Sequence, residues 1–245
     1  LQVPAQRQTK YIKLEGEFAS PGVYQIEPGE TLRQLVGRVG GLSQGAYLFG
    51  SEFTRVSTRR AQESQYKETL NRLEREAESE AATRARNVFT PEEAQALPAQ
   101  QAANRALFAR LRELKPSGRI VFELPERAKL ADLPDVVLED ADRYYVPPQP
   151  SMVTVFGAVF GESSFLYRPE KRTSDYLALA GGTTKRADTS QIFVLKADGS
   201  VAGAGRTWFG ARTVSTNVMP GDTIVVPEDY ERTTWVKDLR DFTQI

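Results

Sequence analysis

Residues 16–42, GEFASPGVYQIEPGETLRQLVGRVGGL, and residues 157–183, GAVFGESSFLYRPEKRTSDYLALAGGT, share one outline at a constant offset of 141 (157 − 16). That shift carries Pro28 onto Pro169, Gly40 and Gly41 onto Gly181 and Gly182, and Ala46 onto Ala187 without a gap. Apolar positions follow it: Phe18 falls on Val159, Tyr24 on Phe165, Leu35 on Tyr176, Val36 on Leu177 and Phe53 on Val194. A second echo, LEDADRYYVP at 138–147 against VMPGDTIVVP at 218–227, aligns Asp142 with Asp222 and Pro147 with Pro227. A chain built this way folds one small unit twice, and each unit closes with an acidic turn, a strand and a proline.

The pattern inside the unit is strand, turn, strand, helix. In YIKLEGEF, Tyr11, Lys13 and Glu15 alternate with Ile12, Leu14 and Gly16, the period of a half-buried strand. Ser20-Pro21-Gly22 turns the chain, VYQI resumes the strand, and Pro28-Gly29 turns it again. Thr31 then caps a helix whose Leu32, Leu35, Val36 and Val39 form one apolar stripe. Gly40 and Gly41 end it, at least one of them at positive φ. A phosphate cradle needs its glycines before the helix, and these come after it.

Residues 57–116 interrupt the first unit. STRRAQESQYKETLNRLEREAESEAATRAR lacks Gly and Pro, pairs Glu63/Lys67, Glu68/Arg72 and Glu80/Arg84 at i, i+4, and has a thin stripe of Tyr66, Leu70, Leu73 and Ala77. TPEE at 90–93 has the arrangement of a capping box. It opens a second helix with Ala103, Leu107, Leu111 and Leu114 expected to face inward and a kink expected near Pro98. The prediction is an inserted helical hairpin, its charged surface either a solvated face or a docking surface. In the second unit the short connection ADGSVAGAGRTWFGARTVST takes its place.

Composition narrows the chemistry. With no histidine and no cysteine, the commonest general base, thiol nucleophiles and thiolate or imidazole metal sites are excluded. Lys+Arg and Asp+Glu are both 32, so no net charge steers the chain toward nucleic acid. No run approaches the roughly 18 apolar residues of a membrane span. The chain starts at Leu1 without methionine, which reads as a piece of a longer protein.

The order strand, SPGVY turn, strand, helix, Gly-Gly, and finally PGDTIVVP, given twice, resembles the SLBB module, the soluble-ligand-binding β-grasp domain. Two such modules followed by TTWVKDL resemble the outer-membrane polysaccharide export (Wza-like) proteins of capsule and exopolysaccharide secretion, whose larger members carry a similar charged insertion after the first module's GGL. Departures fall in loops: GESSF and PEKRT in the second module, and Glu139-Asp140-Ala141-Asp142 in the first where the family has Pro-Gly-Asp.

The resemblance implies an α+β fold of two tandem β-grasp-like SLBB domains. Their expected bounds are 11–56 plus 117–149 for the first, 57–116 for the inserted hairpin, and 150–228 for the second. Residues 229–245 begin a short C-terminal amphipathic helix. It also implies a periplasmic protein associated with the outer membrane, forming a homo-oligomeric ring around a channel for polysaccharide. An inner-membrane polysaccharide copolymerase is the expected partner, with the hairpin a possible contact; no cofactor, no metal, no nucleic acid and no enzymatic activity are implied. The alternative is a carbohydrate or small-ligand binding module without a channel role.

The candidates read from the residues themselves are few. Trp208 and Phe209 either stack on a sugar ring or pack on the second module. Thr233 or Thr234 caps a helix with Trp235, Leu239 and Phe242 on one face, which either packs on its own domain or begins a pore helix. Asp142 and Asp222 read as turn residues bonding backbone amides. A glycosidase needs two carboxylates about 5–10 Å apart, and no motif sets any pair apart. Catalytic, cofactor-binding and metal residues are therefore assigned to none, and ligand-binding residues are unknown.

Overall fold

The computed structural model describes residues 9–86, 91–203 and 217–229; at residues 84 and 91–96 it describes the backbone alone. Trp208, Phe209, Thr233, Thr234, Trp235, Leu239, Phe242 and Thr90 lie outside the described residues.

Both repeats build an α+β module on the same plan. The first has β1 (Tyr11–Gly16), β2 (Gly22–Gln25), α1 (Leu32–Arg38) and β3 (Glu52–Thr54), then the helices α2 (Val56–Arg86) and α3 (Pro91–Glu113), and finally β4 (Arg119–Ile120) and β5 (Asp142–Val146). The second has β6 (Met152–Gly157), β7 (Ser163–Leu166), α4 (Thr173–Leu179), β8 (Phe193–Leu195), β9 (Val201–Ala202) and β10 (Thr223–Val226). The strand orders, β2-β1-β5-β3-β4 and β7-β6-β10-β8-β9, are the same order twice. In the second sheet β10 runs parallel to β6 and antiparallel to β8, while β6 and β7 form an antiparallel hairpin.

Isolated bridges repeat as well. Phe18–Leu42, Thr31–Val137 and Ala46–Pro148 recur as Val159–Thr183, Arg172–Asn217 and Ala187–Glu228. Both glycines of each pair take positive φ, with Gly41 donating to Val36 O at 2.8 Å and Gly182 to Leu177 O at 2.9 Å. These are helix C-caps, as their position after the helix requires. Thr31 caps α1 and Gln34 returns the bond to the Thr31 amide at 3.0 Å.

Burial of one face drives each module. Ile12 and Leu14 on β1, Tyr144 and Val146 on β5, and Leu32, Leu35 and Val36 on α1 are all almost fully buried. The second core repeats this with Val153, Val155, Ile224, Val226, Tyr176 and Leu177. At one aligned pair of core positions the two modules place a large ring on opposite elements. In the first module it is Tyr144 on the strand with Leu35 on the helix. In the second it is Tyr176 on the helix with Ile224 on the strand. Close packing fixes the summed volume of a core and leaves open which element carries the large residue.

Gly16 and Gly157 mark the tightest point of the plan. A Cβ at Gly16 would stand 2.0 Å from Val146 O, and one at Gly157 2.1 Å from Val226 O, both at positive φ. Those carbonyls accept the next amides, Glu17 and Ala158, at 2.8 Å. One position shows what departing from the plan costs. Ala141, which aligns with Gly221 (φ 86), is held at φ 63. A side chain in the left-handed region is strained by about 1 kcal/mol, so Ala141→Gly is expected to raise the denaturant midpoint by a corresponding amount, with an unchanged m-value.

The chain divides into two compact units, Thr54–Ile120 with Asp140–Asp142 forming one and the remaining described residues the other. Within the larger unit Tyr47, buried, donates its hydroxyl to Pro220 O at 2.9 Å, a bond from the first repeat to the closing turn of the second. Burial and the Asp222 carboxylate push the ionisation of Tyr47 up, so it stays a donor.

The smaller unit is the helical hairpin, and its seam differs from the predicted one. Leu73 (43% exposed), Leu107 (53%) and Leu114 (59%) are in solvent, as is Ala103. Leu97, Gln101, Asn104, Phe108 and Leu111 are the half-buried positions among the described side chains of α3, against Tyr66, Leu70 and Ala77 of α2. The register explains the shift: Tyr66 donates to Leu111 O at 2.9 Å and Arg112 pairs with Glu74. A two-helix layer has a narrow seam, so a leucine one position to the side is left wet. Two of the expected ion pairs shift too, Glu63 meeting Arg59 at 3.9 Å and Arg72 meeting Glu76 at 4.0 Å, while the third, Glu80/Arg84, involves a side chain outside the described residues. No described helix is long and apolar enough to cross a membrane. In GRIVFEL, 118–124, only Arg119–Ile120 is strand. Glu123 at φ 50 turns the chain, and Phe122 packs its ring on Phe53 and Tyr144.

Candidate functional site

The two aspartates singled out in the closing turns are among the most buried polar side chains described, Asp142 at 1% and Asp222 at 0% exposure. Asp222 bonds two amides, Met219 at 2.8 Å and Ala197 at 2.9 Å, and also pairs with Lys196 Nζ at 3.0 Å. Asp142 takes a two-pronged bond from Arg55, Nε to Oδ1 at 3.0 Å and an Nη to Oδ2 at 2.8 Å. The offset of 141 carries Arg55 onto Lys196, so each module has the same buried cation–carboxylate pair joining its third strand's end to its closing strand. Sequence reasoning missed the cations. The signal was present in the alignment, where charge type is kept although residue identity is not.

Burial pushes the Asp222 carboxyl up, against the opposing pull of the Met219 amide and Lys196. Both carboxylates are committed to partners inside the fold and neither opens on a cleft, so they make a brace and not an acid–base pair. Among the described residues no group of three or more Asp or Glu could hold a metal ion.

A further ion pair belongs to the first module alone. Glu30, buried, receives Arg38 Nε at 2.7 Å and the Glu27 amide at 3.0 Å. Burial alone would raise the Glu30 carboxyl, but the Arg38 and Glu27 bonds outweigh it and hold the group below its ordinary value. A depressed folded pKa contributes stability that is present above the unfolded value and lost as pH falls through the folded one. Glu30→Gln is therefore expected to melt lower than wild type at neutral pH, with the gap closing in titrations taken below pH ~4.

The outward faces of the two sheets are where the modules diverge. On the first sheet Glu15 pairs with Lys13 at 2.6 Å and with Arg143, and Arg143 reaches Glu52 at 3.8 Å and lies over the Tyr145 ring. The aligned positions of the second sheet are Thr154 for Lys13, Phe156 for Glu15, Thr223 for Arg143 and Phe193 for Glu52. Register confirms that they share one face: Thr223 stands beside Thr154 and Leu195, and Val225 beside Phe156 and Phe193. Met152 continues the face opposite Leu166, and Thr154 Oγ1 lies 3.0 Å from Ser164 Oγ. Phe156 is 55% exposed, and Met152, Leu166, Leu195 and Val201 are exposed too. Every charge of the first face is absent from the second.

The hairpin holds a groove of about 380 Å³ between Tyr66, Leu70 and Asn71 on α2 and Arg112 on α3 with Leu114 and Pro116 just after it. Its mouth carries Glu63, Lys67 and Lys115, so it mixes both signs of charge with an apolar floor.

Two comparisons bear on what these surfaces serve. Residues 11–59 match the SLBB domain model, covering the first module from β1 to the start of α2. The chain is also similar to two Escherichia coli proteins, each a polysialic acid transport protein KpsD, at 25% identity over 224 residues, 91% of this chain and 36% of each relative. The chain thus spans about a third of the length of the curated relatives it matches. The similarity to an SLBB domain is thus confined to residues 11–59, and the similarity to a polysialic acid transport protein runs over most of the chain.

Proposed function

We propose that this chain is a non-enzymatic part of a polysaccharide export protein, acting in the periplasm against the outer membrane, with copies of it forming the wall of a channel for the polymer. One observation carries the reading: a match to a polysialic acid transport protein over 91% of the chain, too long to leave out either module or the hairpin. The chemistry of the fold suits it. The described buried carboxylates brace strands, and dispersed charge of both signs gives a passing polymer no single tight site to stall on.

In this reading the two modules, bounded near 11–56 plus 117–149 and 150–228, are the rigid wall, and the hairpin at 57–116 reaches an inner-membrane copolymerase. Deleting the gene in its host is expected to abolish surface polysaccharide while polymer accumulates in the cell, as measured by sugar analysis of separated fractions. Normal surface polymer in the deletion strain refutes the reading. Complementation with a chain lacking residues 57–116 tests the hairpin separately. Undiminished capture of the copolymerase by that chain removes the assigned contact.

A further inference from the structure

The two helices of the inserted hairpin meet along one seam, and the seam changes character along its length. At the root Gln62 is bonded twice, its Nε2 donating to Arg119 O at 3.3 Å and its Oε1 accepting the Gly118 amide at 3.1 Å. Further along, Tyr66 donates to Leu111 O, Leu70 is 5% exposed, and Glu74 pairs with Arg112. Leu70 is the only buried residue among the described side chains of α2 and α3. Beyond Glu74 the seam consists of Ala77 and Ala81 across from Asn104, Gln101 and Leu97, and all five are only half-buried.

Space accompanies the change. A groove of about 230 Å³ runs from Ala77 and Ala81 across Gln101 and Asn104 to Glu78 and Arg105, and a second of about 160 Å³ runs from the same four residues to Glu80 and Gln100. At 3.6 residues per turn Glu78 and Glu80 lie on opposite flanks of α2, as Arg105 and Gln100 do on α3, so the outer seam is hollowed from both sides. The groove beside the root is larger, but it follows one flank of Leu70 and leaves that contact closed. Methyl groups and amides bury little apolar area, and each amide enclosed in the seam gives up water for it.

The helices do not need the seam for their own hydrogen bonds. α2 has 31 residues rich in Ala, Glu and Arg, with Arg72 and Glu76 paired at i, i+4, a sequence that favours helix by itself. α3 is weaker where the seam is weaker, since Pro98 inside it removes one backbone bond. We propose that α2 and α3 part beyond Glu74 and Phe108 while the root stays closed, which makes the hairpin an arm with a fixed root and an adjustable outer half. A uniformly stiff arm passes every displacement of its end to its base. Parting of the outer half takes the displacement up before the bonds of Gln62 and Tyr66 are loaded. The inference deepens the proposed function and rests on it only for the arm's use, which is to fit its end to a second protein.

The test uses the whole chain. Hydrogen exchange is followed by mass spectrometry in the wild type and in Gln101→Leu with Asn104→Leu, which gives the outer seam apolar side chains of similar size. In the wild type the amides of 77–86 and 99–105 are expected to exchange at least about tenfold faster than those of 66–74 and 108–112. The double variant is expected to remove most of that difference by slowing the outer amides alone. The absence of cysteine allows a second readout by paired spin labels. Labels at Glu78→Cys and Arg105→Cys, across the outer seam, are expected to give a distance distribution roughly twice as wide as labels at Lys67→Cys and Lys115→Cys, across the root. Equal exchange along the hairpin, or equally narrow distributions for the two label pairs, overturns the proposal. So does fast outer exchange that the double variant leaves unchanged, which would be fraying of each helix and not parting of the two. Should the double variant fail to fold, the label pairs decide in its place. Normal surface polymer in the deletion strain would remove the proposed use of the arm without altering any of these outcomes.

Discussion

Gly157→Ala is expected to lower the stability of the chain by about 3 kcal/mol, a fall of about 10 °C in melting temperature. The cause is a single atom. At φ 105 the new Cβ points at Val226 O from 2.1 Å, a distance that no rotamer relieves because the methyl has none. Either β6 moves away from β10, breaking the Ala158 N–H bond to that carbonyl, or the backbone leaves its left-handed conformation and the outgoing loop is redirected. Gly182→Ala is the control. Its φ of 85 carries the same conformational penalty, but nothing lies within 4 Å of its Cβ, so the loss should be about 1 kcal/mol. Equal losses at the two sites, measured by urea titration, would show that β6 and β10 do not approach each other as closely as this.

The second large effect belongs to the brace. Asp222→Ala removes the acceptor for the Met219 and Ala197 amides and leaves the Lys196 ammonium without its carboxylate in a place where it is only slightly exposed. The ammonium keeps its bond to Asn217 O at 2.9 Å and some access to water, so the loss is expected near the lower end of what breaking a buried pair costs, about 3 kcal/mol. The double replacement Asp222→Leu with Lys196→Met leaves no stranded ammonium and is expected to recover part of the loss, though the two amides stay unpaired. Were the double variant as unstable as the single one, the amide bonds alone would carry the stability and the cation would be incidental. The same logic applied to Arg55 and Asp142 predicts a comparable loss for Asp142→Ala.

The sequence was most informative where backbone geometry leaves few choices. Gly16, Gly157 and the two glycine pairs hold conformations or contacts that exclude side chains, so they survive the divergence of the repeats as identities, and the offset of 141 is legible through them. Core positions survive as pattern only: Tyr144 aligns with Ile224 and Leu35 with Tyr176, so the large residue sits on the strand in one core and on the helix in the other. The buried braces were harder to see. Arg and Lys differ as letters, and the meaning of Arg55 emerges only when the strand ends are in register with Asp142. The hairpin seam was misread for a different reason. Leucines mark the inside of a helix when a wide core awaits it, whereas two helices alone bury a strip set by a few polar contacts such as Tyr66 to Leu111 O. The contrast between the outward faces was present in the repeat alignment, but period-2 alternation says only which residues point away from the core.

In the second module β8 and β9 are joined by the tight turn 196–200, where the Lys196 amide donates to Ser200 O at 2.8 Å. In the first module the Arg55 amide makes the equivalent bond to Gly118 O at 3.0 Å, and residues 55–118 occupy the gap that five residues span in the other. The helices therefore begin and end at a clasp that is already closed. Lengthening a loop more than tenfold costs only about 2 kcal/mol by the logarithm of its length, and the clasp makes the guest independent of the host sheet's register. Such a position is a socket: evolution or an engineer can exchange one accessory element for another there, adapting the machine to a new neighbour while its sheet keeps the old shape.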